Sequence, residues 1–559
     1  MKNFVFLFSF LFSLVAASQE PMKPASQINP EKVQNELVGI AENIAASPIN
    51  LLPMQQNGRI KPLDTLARES LLFITGSYKK FGLKPVQLFL ALAAFEGSPY
   101  VELIEIRDLQ LRQELGFQKS KRFYSAVELE NSGLTQMAEP LMQKQKDNAR
   151  MLTEFEKKVL EAFQQFMLAK EIIGGQMLTF AADYSLLVQS HGDENQNKPQ
   201  MNQDLQLEIR KYFQVLTRTP AEQKAAAEKL IETSRKQQVP DIFQHYMDKL
   251  EVEVFYNNMR PFLWASILSL LLGICFFAPL FRNKISVKLT NFIYLVPITF
   301  VAFGLGLRVY ITQFAPITNM FGTMIWVAFG VMAFSYLLFL LYKNYNLPGI
   351  TLIAAGLLLM LTEQIPLILS PDLDPIVAVL RSNFWLSTHV TTITISYAAF
   401  TIAMVLGNIA LVRLWIYKDN EAFFKEYSHY AYRMIQLGCF LLSIGIILGG
   451  VWADYSWGRF WGWDPKETWA LIADLGFLAI LHARFAGWMT PFLLLAWSPL
   501  AYLLVIMAWY GVNFVLAAGL HSYGFSSGGA AMMGIFVSAQ VLLLIASFFK
   551  LKQAKLGKT

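Results

Sequence analysis

Cysteine and histidine are scarce in this chain. Of 559 residues only two are cysteine, Cys275 and Cys439, and both lie inside apolar runs. That excludes a disulfide framework and a cysteine-based metal centre. No Cys-x-x-Cys-His sequence occurs, so the chain is not itself an ordinary c-type cytochrome. It also lacks a glycine-rich phosphate loop, so nothing marks it as an ATP-driven pump. The formal net charge of +6 is modest at this length. The basic residues read as marks of membrane topology, with no nucleic acid as partner.

Apolar residues are plentiful, at 54%, and unevenly spread. Residues 1–17 have a basic start at Lys2, an apolar stretch and Val-Ala-Ala before Ser18, the pattern of a secretory signal peptide. An uncleaved anchor is the alternative. Residues 18–255 are polar and read as an extracytoplasmic, mainly helical domain, with apolar residues at helical spacing over 152–187 and 204–250. No catalytic pairing occurs there, and His191 and His245 read as surface residues. Residues 256–559 read as a transmembrane domain with spans at 262–280, 291–310, 319–342, 347–369, 388–416, 433–452, 467–485, 490–511 and 529–549. The fold class is all-α, a polytopic membrane helix bundle of about nine spans after the helical domain.

Alternation from an external N-terminal domain puts Arg282, Lys284, Lys288, Lys343, Lys418, Lys425, Arg433, Arg484 and the C-terminal lysines inside. Arg308, Arg381, Arg459 and Lys466 fall outside, a bias that agrees with the positive-inside rule. Three segments then share the outer face: 372–389, 452–469 and 514–528.

The second of these, WADYSWGRFWGWDPKETW, is a loop of large flat rings. It carries Trp452, Trp457, Trp461, Trp463 and Trp469, with Tyr455 and Phe460 between them. Gly458 and Gly462 interrupt helix, and Asp464-Pro465 starts the next one. An aromatic belt at the membrane interface is one reading. The glycine spacing and the Asp-Pro-Lys-Glu exit favour a site for a large planar ligand. His389 and His521 lie in the other two outer segments. Neutral imidazole is a standard axial ligand of haem iron. His482 lies fifteen residues past Glu467, about 22 Å along a helix inside a layer of about 30 Å. A polar side chain at that depth is a functional candidate. His429, in a charged inner connector, reads as solvated.

The stretch WGRFWGWDPKETWALI resembles the tryptophan-rich (WWD) signature of the haem-handling proteins of cytochrome c assembly. Within that group the chain most resembles the CcsA (ResC) type of cytochrome c biogenesis protein, from about Leu305 to the C-terminus. The segment 57–76, NGRIKPLDTLARESLLFITG, resembles one that precedes the membrane part of fused CcsB–CcsA proteins. There Asp64 is expected to cap a helix starting near Thr65. Arg59, Lys61 and Arg68 are expected either to contact a partner or a propionate, or to form a solvated basic turn.

The resemblance implies haem b (iron protoporphyrin IX), carried across the bacterial cytoplasmic (inner) membrane and presented on the periplasmic face to apocytochrome c for thioether attachment. It implies His389 and His521 as external axial ligands and His482 as a transmembrane ligand. It implies a haem surface of Trp452, Trp457, Trp461, Trp463, Trp469, Arg459 and Asp464, with Arg459 suited to a propionate. The activity implied is that of a holocytochrome c synthase (haem lyase) component. Its partners would be thiol-reducing proteins and a CcsB (ResB)-like membrane protein carrying a second transmembrane histidine, because the first four spans here contain none. The family commonly has a glutamate where this chain has Gly322. Two other readings stand beside it. One is a haem relay of the CcmC or CcmF kind without ligase activity. The other is an electron-transfer subunit, which needs histidine pairs at two membrane depths.

Overall fold

The computed structural model describes residues 29–148, 152–181, 203–237, 239, 241–277, 287–366, 369–375, 382–417, 421–516 and 530–556. The signal-peptide segment 1–17, His191 and His521 lie outside the described residues. The chain divides into two units, one of residues Met1–Gln56 and Ile60–Ile242, the other of Asn57–Arg59 and Phe243–Thr559.

The first unit is mainly helical around one apolar core that includes Leu37, Leu66, Phe89, Leu90, Phe166 and Tyr212. Its helices begin where the sequence supplies caps. Thr153 and Glu156 exchange hydrogen bonds at the start of Glu154–Ile173, and Thr219 and Glu222 do so at Pro220–Arg235. The helix expected near Thr65 runs from Leu63 to Thr75, and Asp64 does not cap it. Pro62, extended, leads directly into the first turn, and the Asp64 carboxylate accepts from Arg68 Nε at 2.7 Å. There it still complements the positive end of the helix.

The basic residues around position 60 are not a solvated turn. Asn57 and Gly58, with φ of 52° and 76°, form the two-residue turn that joins strands Pro53–Gln56 and Arg59–Pro62. Asn-Gly suits such a turn because both residues tolerate positive φ. Arg59 and Lys61 are both fully buried. Lys61 Nζ donates to the Glu69 carboxylate and, at 3.1 Å, to Gln56 Oε1.

Among the described residues of the second unit, nine helices are long and apolar enough to cross a membrane, so the chain is a polytopic membrane protein. They are α1 (Leu250–Cys275), α2 (Lys288–Thr312), α3 (Met320–Tyr342), α4 (Asn346–Gln364), α5 (Leu386–Ile416), α6 (Glu421–Trp457), α7 (Pro465–Phe485), α8 (Pro491–Asn513) and α9 (Met532–Leu551). α1 breaks at Arg260, which takes a left-handed φ of 48° and ends the first segment where Pro261 starts the second.

α5 is the most deeply buried of the nine and packs on α3, α6, α8 and α9. Ala398, Ala399, Ala403 and Ala410 are fully covered. Small side chains let helices approach closely where lipid offers no hydrophobic drive to associate. Phe400 on α5 stacks on Phe477 of α7, with ring centroids 3.9 Å apart and planes 9° from parallel. α5 thereby fixes both α6 and α7, whose connection is the tryptophan loop.

Phe400→Ala removes one ring of that stack and leaves a cavity that lipid does not reach. The expected result is a loss of at least ~1 kcal/mol in helix packing, seen as a lower unfolding midpoint in detergent. An unchanged midpoint would show that the stack carries no stability.

Candidate functional site around the tryptophan loop

His389 sits in a π-helical turn, Leu386–Val390, at the start of α5. Such wide turns recur at functional sites. Its Nδ1 lies 2.8 Å from the carbonyl oxygen of Gly445 on α6. A carbonyl only accepts, so Nδ1 holds a proton, and in the neutral ring the lone pair resides on Nε2. Gly449, one turn further along α6, makes room for the ring. A Cβ there would stand 2.5 Å from His389 Cε1. Trp452 follows on the same face and meets the imidazole edge to face, with ring centroids 5.7 Å apart. The 4- and 3-residue steps from Gly445 to Gly449 to Trp452 put all three on one side of α6. Helical periodicity thus joins His389 to the loop across 60 residues of sequence.

α6 continues to Trp457, and Gly458 at φ 68° ends it. Trp463 also takes a positive φ, 54°. That conformation costs a bulky residue about 1 kcal/mol or more and persists only where the surroundings impose it. Trp461 and Trp463 meet edge to face at 5.8 Å. Trp463 is 69% exposed and Tyr455 83%, so the loop presents bare aromatic surface. Trp452, Trp457, Trp461 and Trp469 are half-buried.

One carboxylate holds this irregular backbone. Glu467 Oε2 accepts from the amides of Gly462 at 2.9 Å and Asp464 at 3.2 Å, and Oε1 accepts from Arg459 Nη1 at 3.3 Å. Asp464, buried, caps α7 by accepting from Lys466 N at 3.0 Å. Lys466 Nζ then reaches Asn513 Oδ1 on α8 at 2.9 Å. Arg459 lies over the Trp457 ring at 5.7 Å. Its guanidinium is therefore aimed and partly neutralised by Glu467, through one of five N–H donors. The sequence reading counts Glu467 only as the end of the Asp-Pro-Lys-Glu exit and gives it no role, although Asp464-x-x-Glu467 is a capping-box spacing.

His482 is not gathered into this site. It lies near the opposite end of α7, about 25 Å from Pro465 along the helix. Its Nδ1 is 2.8 Å from Leu478 O, and the ring faces out of the bundle on a stripe with Ile472, Leu475 and Ala479. His429 Nε2 is bonded to Tyr342 Oη at 3.1 Å, as an ordinary polar residue would be. Gly322 follows the Asn319 cap of α3, and a Cβ there would come within 2.4 Å of Pro316 O. The 313–319 turn of this chain therefore leaves no room for a glutamate side chain.

A second residue passed over is Asp474. It is buried between α6 and α7, and its Oδ2 accepts from Ser443 Oγ at 2.6 Å. Oδ1 has no hydrogen-bond partner among the described residues. The signal in the sequence was a lone carboxylate inside an apolar span.

Residues 262–521 match the family described as Cytochrome C assembly protein. Protein NrfI of Wolinella succinogenes is 29% identical over 85% of this chain and 54% of its own length. The cytochrome c biogenesis protein CcsA of Guillardia theta is 34% identical over 39% of this chain and 80% of that protein. CcsA of Chlamydomonas reinhardtii is 41% identical over 27% of this chain and 44% of that protein. The chain thus spans about half the length of NrfI and of the Chlamydomonas protein.

Glu467→Ala leaves two loop amides and Arg459 without their acceptor. Amide exchange over residues 458–464 should quicken about tenfold, the scale of a lost helix cap. Glu467→Gln keeps one carbonyl acceptor and should show a smaller change. Equal exchange in all three proteins would show that the carboxylate does not hold the loop.

Proposed function

The chain belongs to the CcsA-type family of cytochrome c biogenesis proteins, and from that membership we propose that it moves haem b across the bacterial cytoplasmic membrane and presents it to apocytochrome c. The observation that carries this reading is the pairing of His389 with the loop. An imidazole whose Nε2 holds a lone pair packs on Trp452 at the base of an exposed aromatic surface. Neutral imidazole ligates haem iron, and flat indoles suit the porphyrin face. His521 is the second axial ligand in this proposal. Arg459, aimed by Glu467, receives a propionate, and Trp457, Trp461, Trp463, Trp469 and Asp464 complete the haem surface.

The chemistry is addition. Each thiol of the apocytochrome Cys-x-x-Cys-His adds sulfur to one carbon of a haem vinyl group and hydrogen to the other, with no leaving group. The thiols must arrive reduced, which calls for thiol-reducing proteins. The chain's share as haem lyase component is positioning and ligation on the periplasmic face. The outward direction of His482 supports a haem held between α7 and a second membrane protein. A CcsB (ResB)-like partner with a histidine in its span fits that role. The relay reading of the CcmC or CcmF kind shares the haem surface but leaves attachment to another protein.

His389→Ala and His521→Ala are each expected to abolish cytochrome c maturation in cells, and added imidazole should restore part of it. Full maturation in either variant removes that residue as a required ligand. Arg459→Ala should lower bound haem by an amount corresponding to ~1–3 kcal/mol, the range of a charged hydrogen bond. Equal occupancy would end its propionate role. Co-expression with a CcsB-like protein should raise bound haem and permit maturation, and a histidine substitution in the partner's span should match His482→Ala. Full loading and maturation by this chain alone would show that no partner is needed.

A further inference from the structure

We propose that Arg59 is a positioning residue for the turn that carries His389; the proposal rests on the reading of His389 as a haem ligand. Arg59 is fully buried and makes two ionic contacts within the second unit. Its Nη1 and Nη2 grip both carboxylate oxygens of Glu253 on α1, at 2.8 and 2.9 Å. Its Nε donates to Asp374 Oδ1 at 3.2 Å, and Asn57 Nδ2 donates to Asp374 Oδ2 at 2.7 Å. The planar fork suits this task, since one edge grips a carboxylate while Nε turns to another. The Asn57-Gly58 turn delivers Arg59 to this place in a fixed geometry.

Asp374 belongs to the stretch 369–375, which is held along its length. Arg308 Nη1 donates to Pro371 O at 2.9 Å and its Nη2 to Asp372 O at 3.3 Å. Asn319 Nδ2 donates to Ser370 O and Asp372 O, both at 3.0 Å. Asn319 is also the cap of α3, accepting from Gly322 N at 2.9 Å. It therefore ties the stretch to the 313–319 turn. Ala315 and Ile317 of that turn cluster with Leu386, and Val390 packs against the same cluster. Leu386 and Val390 bracket His389 in its π-helical turn. Trp326, beside them, donates from Nε1 to Thr391 O at 3.3 Å.

An unbroken set of packed and hydrogen-bonded groups thus runs from Arg59 through Asp374, the 369–375 stretch, Asn319 and the 313–319 turn to His389. Every connection is polar and directional or a close apolar contact, so a shift at Asp374 has a physical route to the imidazole. Removing Arg59 takes two charge-assisted hydrogen bonds from the buried Glu253 carboxylate and one from Asp374, which keeps its bond from Asn57.

The test compares Arg59→Ala, Arg59→Lys and Asp374→Ala with the parent chain at full length. The first readout is amide hydrogen exchange over residues 382–391, with residues 425–438 of α6 as the internal control. Arg59→Ala and Asp374→Ala should speed exchange over 382–391 by about tenfold while α6 stays unchanged, and Arg59→Lys should fall between. Unchanged exchange over 382–391 would overturn the proposal. So would an equal rise in α6, which marks general loosening. Should Arg59→Ala fail to fold, Asp374→Ala decides alone, because it keeps the Arg59–Glu253 pair intact. The second readout is cytochrome maturation with and without imidazole. Arg59→Ala should lose maturation and regain part of it with imidazole, as His389→Ala does. Rescue of His389→Ala without rescue of Arg59→Ala would overturn the positioning role. Full maturation by His389→Ala would instead overturn the ligand reading, and the exchange result would still decide whether Arg59 holds the turn.

Discussion

A backbone inside hydrocarbon has no water to bond, so every amide and carbonyl there must find its partner within the protein. That constraint orders this molecule. Among the described residues the second unit crosses the membrane as helices, and its irregular backbone lies in the connections and near span ends, as at Arg260 and at Leu386–Val390. The tryptophan loop is the clearest case. Its backbone departs from helix at Gly458 and at Trp463, and one side chain, Glu467, supplies acceptors for two of the freed amides. The same carboxylate aims Arg459. Local backbone chemistry and the chemistry proposed for the site are therefore joined in one residue.

Charge inside the bundle obeys a related rule. Buried ions persist when they are paired or fully hydrogen-bonded. Arg59 is bound by Glu253 and Asp374, and Arg308 by Tyr256 and the carbonyls of the 369–375 stretch. In the proposal made above, Arg59 and Arg308 brace the 369–375 stretch, which Asn319 ties to the turn packed beside Leu386 and Val390. Asp474 is held by the Ser443 hydroxyl, with the Cys439 thiol beside its carboxyl.

The sequence made the architecture legible because span length and hydropathy are direct consequences of bilayer thickness. The nine apolar runs correspond to the nine long apolar helices. The helix exit at Asp464-Pro465 was legible for the same kind of reason, since proline and a capping carboxylate act locally. What stayed hidden depends on contacts between distant segments. The burial of Arg59 is invisible in an Asn-Gly-Arg turn, because its carboxylates lie some 190 and 310 residues away. The turn itself looks like a solvated one. Depth along α7 could be counted for His482, but its outward direction depends on which faces of α7 its neighbours cover. The π-helical turn at His389 has no distinct residue signature, and the room for its ring is made by Gly449 on another helix.

The central claim is that His389 ligates haem beside the tryptophan loop. The most direct measurement is the visible absorption and magnetic circular dichroism of the protein purified after co-expression with a CcsB-like protein, compared with the His389→Ala form. The account predicts a six-coordinate, low-spin, bis-histidine haem in the parent. It predicts conversion to a five-coordinate spectrum, or loss of that haem, in the variant, with imidazole returning the parent spectrum. The same haem content with an unchanged bis-histidine spectrum in His389→Ala would contradict it.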